Sequence, residues 1–445
     1  MRLLFLLLSA VIAHGQTLTV RPRVSVVARE GITGAGQVVQ AGKRLMVFYP
    51  NHPDDFGGSG GSGASVSEDG GGTWTALPDD WPLGKTVDLW ADALRNGDLI
   101  AFGIRWAPDP KKRGELTAKD VPADAYQIAI SSDEGRTWKA ESAVIECPAA
   151  FGIIARPLPH IIEDANGTLF MPAYAWGKAG NHALLLTSKD RGRHWSVLST
   201  ITSAAAMVKA GAAVTTPWLE TSVSPTKKGD LIAIVRTGSS AASSLVAVRS
   251  ENLGQTWSAP EKLPFGGKLP TVQLLPDGTL ALLTAHTKNH CRLYLSADGE
   301  GREWSSGQVL TSQSGGNAGM TITGKDSLLI ISPANKRIDA WRVSLGAPRI
   351  VSDNPGRPTE IHFTKGALSW SSAAATHEVT PVLLRKAAGY DDTEILPHIP
   401  IRVTGSKLDL SRQLLIGATY AFDVRAVDHS SRLSTPVRSA EFVNR

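Results

Sequence analysis

The feature that most constrains this chain is an octapeptide, Ser-x-Asp-x-Gly-x-Thr-Trp, which returns five times in 445 residues. It is complete at Ser67–Trp74 (SEDGGGTW) and at Ser131–Trp138 (SSDEGRTW). The third copy, SKDRGRHW at Ser188–Trp195, carries His194 for Thr, and the fourth, SENLGQTW at Ser250–Trp257, carries Asn252 for Asp. A fifth, SADGEGREW at Ser296–Trp304, has one extra residue before its Trp. A string this specific, repeated at blade-sized intervals, argues for a radial or stacked architecture.

A second repeat keeps step with the first. Turns such as RNGDLIAF, ANGTLFMP, KKGDLIAI and PDGTLALL lead into apolar strands whose first Leu falls at 45, 99, 169, 231, 280 and 328. Asn-Gly and Asp-Gly suit two-residue hairpins, where both turn residues need positive φ. Six hairpins spaced 48 to 70 residues apart fit six four-stranded blades closed into a ring, which leaves few exposed edges. With 43 Gly, 26 Pro and 12 Trp the composition points the same way, to short strands and tight turns in an all-β chain. The sixth blade, around Leu328, lacks the box.

The ends of the chain read differently. Met1-Arg2, the apolar run Leu3 to Ile12 and Ala13-His14-Gly15 predict an export signal over residues 1–15, and hence a secreted or periplasmic protein without membrane insertion. Both repeats stop near 345. Residues 346–357 read as a Pro/Gly-punctuated linker, and 358–445 as a small β-sandwich, with Trp370 on an early strand and Tyr420, Phe422, Val424 and Ala426 on one face of a late one. Cys147 and Cys291 leave a disulfide and two buried thiols both open. Against 41 Asp and Glu, 46 Lys and Arg give a small, scattered positive excess with no basic run, which argues against a nucleic-acid partner and is compatible with an acidic substrate. A monomer is the default expectation.

If the Gly hairpins and the boxes share one face of the ring, the opposite face collects the starts of first strands, the ends of second strands and the starts of third strands. Those positions hold Asp54 and Asp55 beyond Tyr49, Asp88 with Trp90, Arg105, Arg156, Tyr174, Glu220, Arg236, His286 and Arg292. Arginines, carboxylates and aromatics on one rim suit an acidic sugar: guanidinium forks grip a carboxylate, rings stack on the sugar and a carboxylic acid protonates the leaving oxygen. Glu220 and Arg236 are equally readable as a structural ion pair, and Tyr174 as packing. His286 and His290 lack the further ligands a metal site needs, so neither metal nor cofactor is implied.

On the boxes, the chain resembles the sialidase-type six-bladed propellers built from Asp-box, or BNR, repeats, over roughly Gln16 to Leu345. The C-terminal segment resembles a fibronectin type III sandwich. The first resemblance implies an exo-glycosidase that binds the substrate carboxylate through three Arg, uses an Asp in a first-blade loop as acid/base and attacks with a Tyr activated by a Glu. By position, Glu220 corresponds to that Glu, Arg236 and Arg292 to the second and third Arg, and Asp54 or Asp55 to the acid/base; Arg156 or Arg105 could supply the first Arg. Two parts are absent: GITGAGQVV has no Arg where the first is expected, and no Tyr lies between Asn317 and Trp341. Two functions therefore stand: a glycosidase for a terminal acidic sugar, and a non-catalytic propeller that binds a glycan or a protein.

Overall fold

The computed structural model describes Thr17 to Asn444 apart from residues 29–31, 33–36, 52–60, 79–80, 239–242, 287–288, 306, 315–317, 335, 347–354, 386–397, 412–413, 415–416 and 430–432. Each Gly-turn hairpin and each box hairpin contributes to one antiparallel blade. Blade 1 is Gln37–Ala41, Arg44–Pro50, Ser62–Ser67 and Thr75–Ala76. Blade 2 is Asp88–Ala93, Leu99–Ile104, Tyr126–Ser131 and Lys139–Glu146; blade 3 is Ile153–Pro157, Leu169–Gly177, Gly180–Ser188 and His194–Ser203. Blade 4 runs Thr221–Pro225, Leu231–Val235, Ser244–Ser250 and Glu261–Gly266, and blade 5 Lys268–Leu274, Leu280–His286, Asn289–Ser296 and Gln308–Ser314. The second strands are nearly all buried, because they are covered on both faces by neighbouring blades.

Blade 6 takes three strands from late in the chain, Gly319–Gly324, Ser327–Ala334 and Arg337–Gly346, and its outer strand from the beginning. Thr17–Val20 and Val24–Ala28 both pair antiparallel with Arg337–Gly346, so the two ends of the propeller sequence close the ring. Blades 2 and 3 are joined as well. The end of Lys139–Glu146 runs parallel to the start of His194–Ser203, with Val144 opposite His194 and Glu146 opposite Ser196.

The boxes explain how blades adhere. In the first, the Asp69 carboxylate accepts from the Gly72 and Thr73 amides, the Ser67 hydroxyl donates to Asp69 and the Thr73 hydroxyl donates to its second oxygen. The departures in sequence preserve this network. His194 Nδ1 lies 2.5 Å from Asp190 in place of the Thr hydroxyl. Asn252 accepts from the Thr256 amide and donates to the Thr256 hydroxyl. The longer fifth turn brings the amides of Glu300, Gly301, Arg302 and Glu303 onto Asp298.

Each turn then presses its central Gly onto the preceding blade. A Cβ on Gly135 would meet Met46 Sδ of blade 1 at 2.2 Å, and one on Gly254 would meet Leu185 of blade 3 at the same distance. Gly71, Gly192 and Gly301 abut Leu329, Ile100 and Ile232 of blades 6, 2 and 4. All five have φ between 66° and 86°, so conformation and space both demand Gly. Beside each Gly its box Trp joins the same interblade cluster: Trp74, Trp138, Trp195, Trp257 and Trp304 each border a different one.

Only the interface between blades 5 and 6 has no box. There the core of Leu283, Leu293, Met320 and Ile330 runs without a break through Leu18 and Val20 into Trp370, Tyr420, Phe422 and Val424 of the C-terminal sandwich. That sandwich has sheets Thr359–Thr364, Ala367–Ser371 and Lys407–Asp409 against Thr376–Arg385, Ile401–Thr404 and Thr419–Val427. Ile401 pairs parallel with Val20, and the Ile399 amide donates to the Val309 carbonyl of blade 5, 2.9 Å away. The sandwich is therefore welded to the ring at the interface the boxes leave unstapled.

Substituting Gly254 by Ala should cost about 2–4 kcal/mol, from an unfavourable φ and a forced shift of Leu185. Gly70→Ala, at φ 68° with nothing near its added methyl, should cost only about 1 kcal/mol; urea unfolding of the pair tests this. Hydrogen bonds hold the carboxyl groups of Asp69, Asp133 and Asp190 down at about 2. Their contribution is fully present above the unfolded carboxylate range of about 4 and is lost as pH falls towards 2. Asp133→Asn should accordingly flatten the dependence of the melting temperature on pH between those limits, as the natural Asn252 already does for the fourth box.

Candidate functional site

Antiparallel order places the start of each first strand and the end of each second strand at the rim opposite the boxes. Asp88 opens the first strand of blade 2. Arg156 stands in the first strand of blade 3, directly opposite Tyr174, just past a break in register after Ile154. Such a bulge re-aims the side chains beside it, and here the Arg156 guanidinium reaches across to an ion pair with Asp88. Each of these two side chains keeps about a quarter of its surface exposed, 23% for Arg156 and 24% for Asp88.

Blade 4 supplies a deeper pair. Arg236, just beyond Leu231–Val235, donates its amide to the Glu220 carbonyl, and its guanidinium lies 2.6 Å from Glu220 Oε1. Arg236 Nε donates to the Gly238 carbonyl at 2.8 Å, and the guanidinium sits 5.8 Å above the Trp218 ring. The other Glu220 oxygen accepts from the Leu269 amide of blade 5 at 2.9 Å. Both carboxylate oxygens are thereby fixed by donors on two blades, which makes Glu220 an orienting group as well as a charge.

Tyr174 adjoins the first pair. Its ring is fully buried, tilted against Trp176, and its hydroxyl contacts the Arg156 guanidinium. Burial pushes the phenol well above its usual range; Arg156 opposes this, while the charges of Glu220 and Asp88 add to it. The phenol is protonated across the neutral range and can donate a hydrogen bond. Asp88, Arg156, Tyr174, Glu220 and Arg236 thus stand on three consecutive blades, and the charges of both pairs act on the Tyr174 phenol.

The remaining expectations divide. Arg292 does not open the third strand of blade 5: it is buried, the fourth residue of Asn289–Ser296, opposite Thr284 and one step from where Ala285 faces Lys268. Arg105 lies off the set, 3.6 Å from Asp124. Trp90 is a correction: it shares a face with Asp88 but lies two residues further from the rim, where its indole is stacked on Phe102 inside the core between blades 2 and 3, so it offers no surface to a ligand. Asp54, Asp55 and the side chain of His286 lie outside the described residues. Cys147 and Cys291 are both free thiols.

Three contributions escaped sequence reasoning. The Leu269 amide is one, since a backbone donor leaves no residue signature. Asp92, at the Gly-turn end of its strand and so away from this rim, is another, accepting from the Ile161 amide at 2.7 Å and facing His160 Nδ1 at 2.9 Å. On blade 6, Asp339 is shared by Arg337 at 2.7 Å and by Arg23, which comes from the opposite end of the chain, at 3.2 Å.

Comparison with known proteins agrees with this geometry at the level of fold. Residues 117–372 match the BNR repeat-like domain family, and the chain belongs to it. A protein of unknown function from Dyadobacter fermentans is similar at 18% identity and TM-score 0.57, over 74% of this chain and 99% of that one. The Hadza microbial sialidase Hz136 is similar at 18% identity and TM-score 0.53, over 70% of this chain and 65% of that one. An α-L-arabinanase from Penicillium chrysogenum, complexed with arabinobiose, is similar at 16% identity and TM-score 0.50, over 73% and 98%. No curated protein matches in sequence. At these identities the likeness is one of fold, a sialidase-like propeller of the kind glycoside hydrolases use.

Removing Glu220 should strand a buried guanidinium and cost about 3 kcal/mol, and Arg236→Ala should cost a similar amount. The double variant should lose clearly less than the sum of the two, and chemical denaturation of all four proteins would measure the coupling.

Proposed function

We propose that this protein is an exo-acting glycosidase that removes a terminal acidic sugar, a sialic or uronic-type acid, from a glycan. The observation that carries the reading is the set of Arg156, Arg236, Asp88, Glu220 and Tyr174 at the unboxed rim, with Arg292 on the neighbouring blade. Arg156 is the accessible fork, and with Arg236 and Arg292 it would hold the sugar carboxylate. Ion pairing to Asp88 and Glu220 pre-sets two of those forks, which lowers the ordering cost of binding. Tyr174 would donate to the bound sugar or hold Arg156 in place.

For the chemistry, Asp54 or Asp55 would give a proton to the leaving oxygen as the glycosidic C–O bond breaks. A water molecule adds to the anomeric carbon and loses its proton to a second carboxylate. Asp88 is favoured for that role over Glu220, whose two oxygens are both engaged by donors. A carboxyl separation of roughly 6.5–9.5 Å would accompany inversion. An export signal over residues 1–15 would place the enzyme among extracellular or periplasmic glycans, with the fibronectin type III-like sandwich bracing the ring.

A recognition propeller without catalysis is the second reading, and the closed ion pairs of both carboxylates favour it. Purified protein assayed on α-sialosides, uronides and neutral glycosides separates the two. The expected outcome is turnover of an acidic substrate, lowered at least ~10²-fold in kcat/KM by Arg156→Lys, which keeps the charge and loses the fork, and abolished by Asp55→Ala or Asp54→Ala. Binding of an acidic glycan without turnover of any substrate would establish the recognition role instead.

A further inference from the structure

A cavity of about 680 Å3 opens on the box face between blades 3 and 4, at the opposite end of the strands from the charged set. Phe170 and Leu198 give it an apolar floor, and Leu253 of the fourth box lines it from the rim. Leu253 is a costly residue there. The fourth place of the box always has positive φ, and Leu253 adopts 53° where other copies use Gly70, Glu134, Arg191 and Gly299. Its side chain is also 51% exposed. Positive φ belongs to this place in every box, so what sets Leu253 apart is its side chain, a half-exposed apolar group on the cavity rim where the other copies carry Gly, Glu or Arg.

The polar lining is mixed, with more carboxylates than basic groups. Glu146 reaches the cavity where the outer strands of blades 2 and 3 run parallel, with Glu146 opposite Ser196. Asp164 and Asp190 join it, against Lys189 and His194, and Asp190 is already paired with His194 Nδ1. An excess of carboxylates repels an acidic sugar and accepts hydrogen bonds from hydroxyl and ammonium groups. The volume lies within the range of pockets that enclose a small ligand.

We infer that this cavity is a second saccharide site, for a neutral or amino-sugar unit, separate from the charged rim. It would hold an uncharged part of a glycan on one face of the ring while the other face meets the acidic terminus of the same or another chain.

The test is titration of the full-length protein, followed by saturation-transfer NMR and calorimetry, with gluco-, galacto- and arabino-oligosaccharides, chitobiose, glucosamine oligomers and sialyllactose up to about 10 mM. Leu253→Gly suits the turn and removes the apolar rim, so it should raise the melting temperature and weaken saccharide binding ~10-fold. Glu146→Gln should weaken binding several-fold at an unchanged melting temperature, and neither change should alter chemistry at the opposite face. The inference is overturned if no neutral or amino sugar binds, if only sialyllactose binds, or if Leu253→Gly stabilises the fold and leaves saccharide affinity as it was.

Discussion

A glycine pressed against the blade before it is the contact on which the rest of this molecule depends. Each box folds its own turn through an Asp or Asn side chain, and the folded turn places a Gly at positive φ where no Cβ could fit. Blade-to-blade distance is set by backbone meeting a Leu, Ile or Met side chain, and the box Trp fills the space beside it. The hydrogen bonds of the box are local and exposed, so their net worth is small. What they secure is the shape that lets six apolar interfaces close without gaps.

Closure needs all six interfaces, and only five have a box. The missing one is made up by two remote parts of the chain. The first strands, Thr17–Val20 and Val24–Ala28, complete blade 6, and the C-terminal sandwich extends the core shared by blades 5 and 6. Leu18 and Val20 belong to both, so ring and sandwich share one core.

The charged rim follows from that closure. Five side chains that are up to 148 residues apart, from Asp88 to Arg236, meet because three blades turn the same strand ends towards the axis. Burial makes their pairing obligatory, since an unpaired charge at such a place would be far more costly than an exposed one. Each guanidinium of the two pairs is held by a carboxylate, Arg156 by Asp88 and Arg236 by Glu220. At the other end of the strands the sign reverses: carboxylates outnumber cations around an apolar floor. The two faces of one ring thus differ in chemical character.

Much of this could be read from the sequence. Five boxes and six Gly turns determined the strand order, the number of blades and which ends of the strands share a rim, because box and hairpin are local structures whose residues lie within nine positions of one another. Strand order also puts Asp88, Arg156, Tyr174, Glu220 and Arg236 at the ends of strands away from the boxes. The sequence could not foretell that Trp90 lies in the core, that the Leu269 amide fixes Glu220, or that Arg23 meets Asp339. Nor could it foretell the parallel join of blades 2 and 3 that carries Glu146 to its cavity. Local turn chemistry is written in adjacent residues; pairings between blades depend on the twist and closure of the whole ring, which only the tertiary structure decides.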